Sequence, residues 1–337
     1  MAQQLLFHDF SKNLQKISEI GDALEKLDDV IDWSIFRKKL KIIRKNNTGA
    51  GGRPAFDEIV MFKCLILQQL YELSDDQVEF QIRDRLSFMR FLGIQSFNEI
   101  PDSKTIWLFR EKLTENNLTK KLFDLFLKML EKKGFNARKG HLIDATIVSA
   151  PKQRNSREEN QQIKNGTVPD DWNNNSPKLA QKDTDARWLK KNGEKYFGYK
   201  NHVLADVKHK FVRDYSVTPA SVHDSQAAPD LLSKIPRGDK IYGDSAYHSD
   251  EISCVINRRN LIAKICAKGT RGKSLTDSQK KQNRKISKFR SRVEHIFARM
   301  TQMNNICVRT IGIKRAATCI GLQNLVYNMD RLSCLSR

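Results

Sequence analysis

Through roughly the first 135 residues the apolar positions recur three and four apart, the period of one buried helix face. IVMFKCLILQQLYEL (59–73), DQVEFQIRDRLSFMRFLG (76–93) and KTIWLFREKL (104–113) each carry that period, so 1–135 reads as an all-helical N-terminal domain. Ser74 with Gln77 has the spacing of a capping box, Gly93 ends the second helix, and Asp102 or Ser103 caps the third. Three such helices serve equally as a helix-turn-helix that lays 104–113 in a major groove or as a plain bundle for dimerisation.

From residue 140 the period shortens and strands take over. HLIDATIV (141–148), YFGYKNHVLAD (196–206) and KFVRDYSVTPAS (210–221) are followed by a helix at 225–235, the strand KIYGDSAY (240–247), a helix at 251–260, the strand LIAKICA (261–267) and a last helical region. Three turn-linked strands suggest an antiparallel meander, and strands that then alternate with helices run parallel to the first. The expected fold class is therefore α/β: a ribonuclease H-like mixed five-stranded sheet flanked by helices over 136–337, preceded by the helical domain. In that order the first and fourth strands are neighbours. A polar stretch at about 152–195, with NNNSPK at its centre, reads as an insertion too polar to bury a core of its own, serving as a DNA-contacting arm or an idle linker.

The charge balance narrows the partners. Lys and Arg number 60 against 39 acids, a net charge of +21, which favours nucleic acid or an anionic membrane. No apolar run reaches the roughly 20 residues of a spanning helix, and MAQQLLFHDF has no basic stretch leading into an apolar one. Double-stranded DNA is the expected partner, with no membrane. The expected location is the cytoplasm, on the nucleoid when DNA is bound. Six scattered cysteines, with no CxxC pair, read as buried free thiols of a reducing compartment.

Against this background three acids stand out. Asp144 interrupts the aliphatic run GHLIDATIV, Asp244 ends the run DKIYGDSAY, and Glu294 sits in the basic helix SKFRSRVEHIFARM. Strand order would set Asp144 beside Asp244, with Glu294 arriving from a covering helix. Carboxylates are hard oxygen donors suited to Mg2+ or Mn2+, and two such ions about 4 Å apart can assist in-line attack on a phosphodiester. The plainer alternative for Glu294 is a surface ion pair with Arg290, four residues earlier. Eleven basic residues lie between 268 and 299 against Asp277 and Glu294. Lys285, Lys288, Arg290 and Arg292, with Lys200 and Trp188, are the candidate DNA contacts. His223 stands near the same sheet edge as a phosphate or water contact, with Asp224 beside it, although Asp224 or Ser225 also suits a helix cap. Trp107 reads as core, and Trp172 as a weaker stacking candidate than Trp188.

At these residues the chain resembles the transposases of bacterial insertion sequences, in the broad family named for the fifth such element described. GRPAFDEIVMFKCLILQQLYELSDDQVEFQIRDRLSFMRFLG and PDSKTIWLFREKL resemble the family's helical domain. HLIDATIV, KDTDARWLKKNGEKYFGYKNHVLAD, PASVHDS, YGDSAYHS and SKFRSRVEHIFARM resemble its catalytic core. The resemblance implies an Asp, Asp, Glu metal site at Asp144, Asp244 and Glu294, and cleavage and strand transfer at the element's ends and target DNA. It also implies work as a homodimer across two ends, and a DNA contact for Arg290 near the scissile phosphate. Two positions depart from the pattern: Ser287 stands where relatives often carry tyrosine, and Thr301 where many carry lysine. A regulator that binds the element without cutting it, and a nuclease on the same fold, remain as alternatives.

Overall fold

A computed structural model describes residues 2–44, 54–137, 139–269, 274–304 and 307–336. Gly52 and Arg53 of the GRPAF motif, and Arg271 and Lys273 of the basic stretch, lie outside the described residues. Two compact units emerge, Met1–Lys133 with Leu322–Arg337, and Gly134–Gly321. The second ends before the C-terminus because Leu322, Leu325, Val326 and Met329, all with no exposed surface, group with the helical unit.

The helical unit contains α1 (Ala2–Ile20), α2 (Ala23–Val30), α3 (Ser34–Leu40), α4 (Glu58–Tyr71), α5 (Asp75–Asp84), α6 (Leu86–Leu92), α7 (Ser103–Glu115) and α8 (Leu118–Lys132). α4 is apolar on nearly all sides, which suits only a helix surrounded by others; Phe62, Cys64, Leu65, Ile66 and Leu67 have no exposed surface. Burial pushes the Cys64 thiol up to about 12. The expected caps form: Ser74 and Gln77 exchange side-chain and backbone hydrogen bonds, Gly93 takes the left-handed C-cap, and Asp102 accepts from Thr105 N. Arg110 ties α7 to the start of α5 through a bidentate pair with Asp75, at 2.6 and 2.8 Å.

Two expectations fail in this unit. The periodic run 76–93 is two helices, because Arg85 is extended (φ −107°, ψ 119°) between α5 and α6. One straight helix would present Val78 and Ile82 on a different arc from Phe88 and Phe91, and the break lets both pairs turn inward. Trp107 is not core: it is 47% exposed, with Leu108 beside it, while its neighbours Ile106 and Phe109 are buried.

The second unit is built on one sheet. Its elements are β1 (His141–Ser149), α9 (Arg157–Lys164), α10 (Asp170–Asn173), α11 (Ser176–Ala180), β2 (Arg187–Lys191), β3 (Glu194–Asp206), β4 (Val212–Pro219) and α12 (Asp224–Ser233). There follow β5 (Lys240–Gly243), α13 (Asp250–Arg259), β6 (Ile262–Ile265), α14 (Asp277–Met303) and the start of α15 (Ile313–Leu335). β1, β3 and β4 form the antiparallel meander, while β5 lies parallel to β1 and β6 parallel to β5. This is a ribonuclease H-like order, β4 and β3 beside β1, then β5 and β6.

The sheet has six strands among the described residues rather than five. The additional one is β2, which closes the polar insertion by pairing with β3 through a turn at Asn192–Gly193. Both turn residues have positive φ, the requirement of the tight hairpin that Asn-Gly favours. The insertion also buries a small core, contrary to its polar composition. Trp172 has no exposed surface, donates its indole N–H to Glu159 at 2.8 Å, and lies under the Lys182 ammonium, while Ile163 is buried nearby in sequence. One large aromatic can organise three short helices where the average composition promises none. Trp172→Ala is expected to cost this insertion about 3–5 kcal/mol. Proteolysis within 152–186 should accelerate strongly while the main sheet's melting shifts little; an unchanged digestion pattern would contradict the small core.

α12 and α13 cover one face of the sheet, where Ile143, Leu204, Ile241, Tyr247, Ala228, Leu231 and Ile252 form one cluster. α14 packs against β1, β5 and β6. Tyr242, whose side chain alternates with Ile241 to the opposite face, stacks on Phe289 of α14 at 4.8 Å. Three of the six cysteines, Cys254, Cys307 and Cys334, are exposed rather than buried. They lie at helix and loop surfaces that a residue count cannot distinguish from core. Among the described residues no helix is long and apolar enough to cross a membrane.

Candidate active site

Strand register brings the first two acids together. His141 pairs with Ile241 and Leu142 with Tyr242 across the parallel β1–β5 ladder, so two residues further along, positions 144 and 244 stand level. β5 stops at Gly243, and Asp244 turns to accept from Ala246 N at 2.8 Å, capping a 3-10 turn over Ser245–Tyr247. The site thus forms where β5 ends beside the middle of β1, since Asp144 is still paired with Val203 of β3 while Asp244 stands just past its strand.

Asp144 is 22% exposed, accepts from Ala145 N at 2.8 Å, and has Arg290 of α14 at 3.7 Å. Burial raises its carboxyl to about 6, opposed by the Ala145 N–H and Arg290 and reinforced by the charges of Asp244 and Asp224. Asp144, Asp224 and Asp244 therefore share one electrostatic neighbourhood. The Tyr247 hydroxyl is fully buried there, pushed far above the ordinary phenol range by burial and then by the same three carboxylates.

The other candidate residues separate into outward and inward groups. Glu294 is exposed on α14, one turn and about 6 Å along the axis from Arg290. Among the described residues no three His, Cys, Asp or Glu side chains stand close enough to share an ion, so Glu294 does not join the two aspartates in one cluster. Lys285 and Lys288 are exposed, in line with Lys280, Lys281 and Arg284. Arg290 faces Asp144, and Arg292 is half-buried, donating to Val207 O at 2.6 Å. Trp188 is 41% exposed on β2, packed on Phe197 at 5.2 Å, with Lys190 and Lys195 around it.

Lys200 differs most from its expected role as a DNA contact. It is 8% exposed and donates inward, to Val222 O at 2.7 Å and Asp224 Oδ1 at 2.8 Å. It stands on β3, on the face that carries Leu204 and is covered by α12, so the pleat turns it away from water. Asp224 is accordingly not the helix cap. That role falls to His223, whose exposed imidazole Nδ1 accepts from Ser225 N at 3.3 Å. His202, beside Lys200 in the same pocket of charge, is lowered to about 4 by burial and shares a hydrogen bond with Thr218 at 2.8 Å.

Tyr247 escaped sequence reasoning, whereas Lys200 was singled out but expected to face DNA. The aromatic three residues after Asp244 was visible, but only the 3-10 turn carries its ring under the site. Hard oxygen donors, one of them a carboxyl raised to about 6 with its nearest cation 3.7 Å away, suit Mg2+ or Mn2+. The two carboxylates are donors of the kind a divalent cation takes, and among the described residues no third ligating side chain stands with them.

The profile of the transposase DDE domain matches residues 136–329. The chain belongs to the DDE transposase family. A second profile, a transposase domain designated DUF772, matches residues 12–112 of this transposase family member, so both units carry a family signature. A similar relative is the transposase for insertion sequence element IS1106 of Neisseria meningitidis serogroup B, 34% identical over 195 residues, 56% of this chain. The alignment spans 64% of that relative's length. A solved piggyBac transposase in a synaptic complex with hairpin DNA is 12% identical with a TM-score of 0.45, over 93% of this chain and 75% of that one. Asp144, Asp244 and Glu294 all fall within the matched DDE segment, as do the departures Ser287 and Thr301. Ser287 is exposed, and the Thr301 hydroxyl donates to Phe297 O at 2.9 Å within α14.

Proposed function

We propose that this chain is the transposase of an insertion sequence: it binds the element's terminal inverted repeats, cuts DNA beside them and joins the cut strand to a target, working as a homodimer across two ends. The observation that carries the reading is the nearness of Asp144, within β1, to Asp244, just past the end of the neighbouring parallel β5, beside a helix rich in exposed lysine. Asp144 and Asp244 would supply carboxylates for a divalent cation, and Glu294, which stands apart from them on the exposed side of α14, would complete the set only once α14 shifts on binding DNA. When bound, such an ion polarises the phosphate and acidifies a water. Arg290 holds the guanidinium nearest the carboxylates, in reach of the charge that develops on a phosphate placed there. The exposed Lys280, Lys281, Arg284, Lys285 and Lys288 draw the phosphate backbone along the helix.

Purified protein incubated with labelled end DNA tests this directly. Binding is expected with either Mg2+ or EDTA, and nicking and joining only with Mg2+. Cleavage without joining would instead identify a nuclease, and binding with no metal-dependent cleavage a regulator. Either result overturns the reading. Lys285→Ala and Lys288→Ala are each expected to lower the slope of log K against log salt by about 0.9 if the side chain meets a phosphate. An unchanged slope for both would remove α14 from the interface.

A further inference from the structure

Asn283 interrupts the pattern of α14. From Asp277 to Lys285 every residue is exposed except Asn283, which is half-buried, and the apolar packing of the helix begins only at Ile286. Counted back along the stripe of Ile286, Val293, Ile296 and Met300, position 283 is where the period calls for one more apolar side chain. The reason for an amide there lies in what it meets. β6 ends the sheet on that side, and just past it Cys266 N still donates to Gly243 O at 3.2 Å. Ala267, the next residue, therefore turns its N–H and C=O away from β5, toward the open edge. The Asn283 side chain takes both: Ala267 N donates to its Oδ1 at 2.9 Å, and its Nδ2 donates to Ala267 O at 3.0 Å. Two bonds to one residue fix the rotation of the helix as well as its position.

That rotation decides where the cations point. At about 100° per residue, Lys281 and Lys285 each stand roughly 160° around the axis from Asn283, so a clamp on one face aims two ammonium groups from the other. The same charges work against the helix, because Lys281 and Lys285, like Lys280 and Arg284, are like charges four apart. Before Ile286 no buried apolar side chain holds these turns to the sheet. Resting on the DNA-binding reading of α14 above, we propose that Asn283 is a positioning residue for the DNA interface: its amide, bonded both ways to the sheet edge, holds the leading turns of α14 so that Lys281 and Lys285 meet a phosphate backbone together. Asn283 itself carries no charge and faces away from the DNA. Released from the edge, the same lysines follow a fraying helix end and neutralise fewer phosphates.

The test is the salt dependence of binding between the full chain and a labelled duplex of mixed sequence. The pair Lys281→Ala with Lys285→Ala is expected to lower the slope of log K against log salt by about 1.8, two lost phosphate contacts. Asn283→Ala should lower it by about 0.9 or more although it removes no charge, and in that background the lysine pair should lower it clearly less than in the parent, the coupling expected of residues that act together. Asn283→Leu, which completes the apolar stripe without the two hydrogen bonds, should behave like Asn283→Ala; a parental slope for it would assign the effect to packing and overturn the amide's role. Tyr199→Phe, which loses the buried hydrogen bonds to Asp183 at 2.7 and 2.8 Å, should melt lower with its slope unchanged. A slope that fell with it would make the Asn283 effect one of general destabilisation, and so would overturn the proposal. A parental slope for Asn283→Ala, or full additivity with the lysine pair, would overturn the positioning role while leaving α14 at the DNA. No effect of the lysine pair in the parent would take these turns out of the interface, and this role with them.

Discussion

Asp144→Asn is expected to lower metal-dependent cleavage of end DNA by about 1,000-fold or more, the scale of losing several kcal/mol of charge stabilisation, and at the same time to make the metal-free protein more stable. The two effects share a cause. Burial holds the Asp144 carboxyl at about 6 against an ordinary 3.8, so the folded protein keeps a proton that the unfolded chain releases. A raised carboxyl destabilises the fold as pH climbs: both states are protonated below about 3.8, the penalty grows between 3.8 and 6, and it is complete above 6. Two units at about 1.4 kcal/mol each give an upper figure of about 3 kcal/mol, reduced because the side chain is 22% exposed. Asn has no such penalty. The variant should therefore melt higher than the parent at pH 8 and equally at pH 4, and Mg2+ should raise the melting temperature of the parent more than that of the variant. Parallel pH profiles for the two proteins would show that Asp144 ionises freely, and retained cleavage would remove it from the chemistry.

The second large effect is structural. Gly198 lies where β1 ends against β3, with φ at +150°, a conformation side chains rarely adopt. A Cβ there would stand 2.2 Å from Val148 O and 2.8 Å from Ala150 N, both backbone atoms of the neighbouring strand. Neither can yield without opening the ladder in which Ser149 pairs with Gly198. Gly198→Ala is expected to cost roughly 3–5 kcal/mol, combining backbone strain with overpacking. The melting transition of the sheet-containing unit should fall on the order of 10 °C. A loss below about 1 kcal/mol would mean that the close approach at the strand crossing is not maintained in solution. Because β1 carries Asp144, the same substitution should also reduce cleavage by whatever protein stays folded.

Much of this was legible in residue patterns because local physics governs it. The capping box at Ser74, the left-handed stop at Gly93, the meander from β1 to β4 and the parallel return of β5 each follow from short-range signals, and the register of β1 against β5 then sets Asp144 beside Asp244. The break at Arg85 was not legible, since apolar spacing shows that residues are buried but not that two arcs need different helix directions. Trp172 was misread for a similar reason: average polarity hides the capacity of one indole to gather short helices around it.

By itself the amino-acid sequence determined the order of strands and helices, one aspartate within a strand and one just past a strand's end, and the basic helix that carries Glu294 and Arg290. Those depend on period, propensity and charge, which a chain displays residue by residue. Only the tertiary structure decided which way side chains turn. It sends the Lys200 ammonium inward to Asp224 instead of out to DNA, puts Arg290 against Asp144, leaves Glu294 on the exposed side of α14, and buries the Tyr247 hydroxyl without a partner. The pleat of β3, the docking of α14 on the sheet and the turn after Asp244 fix those directions, and each requires segments far apart in the chain to be packed together.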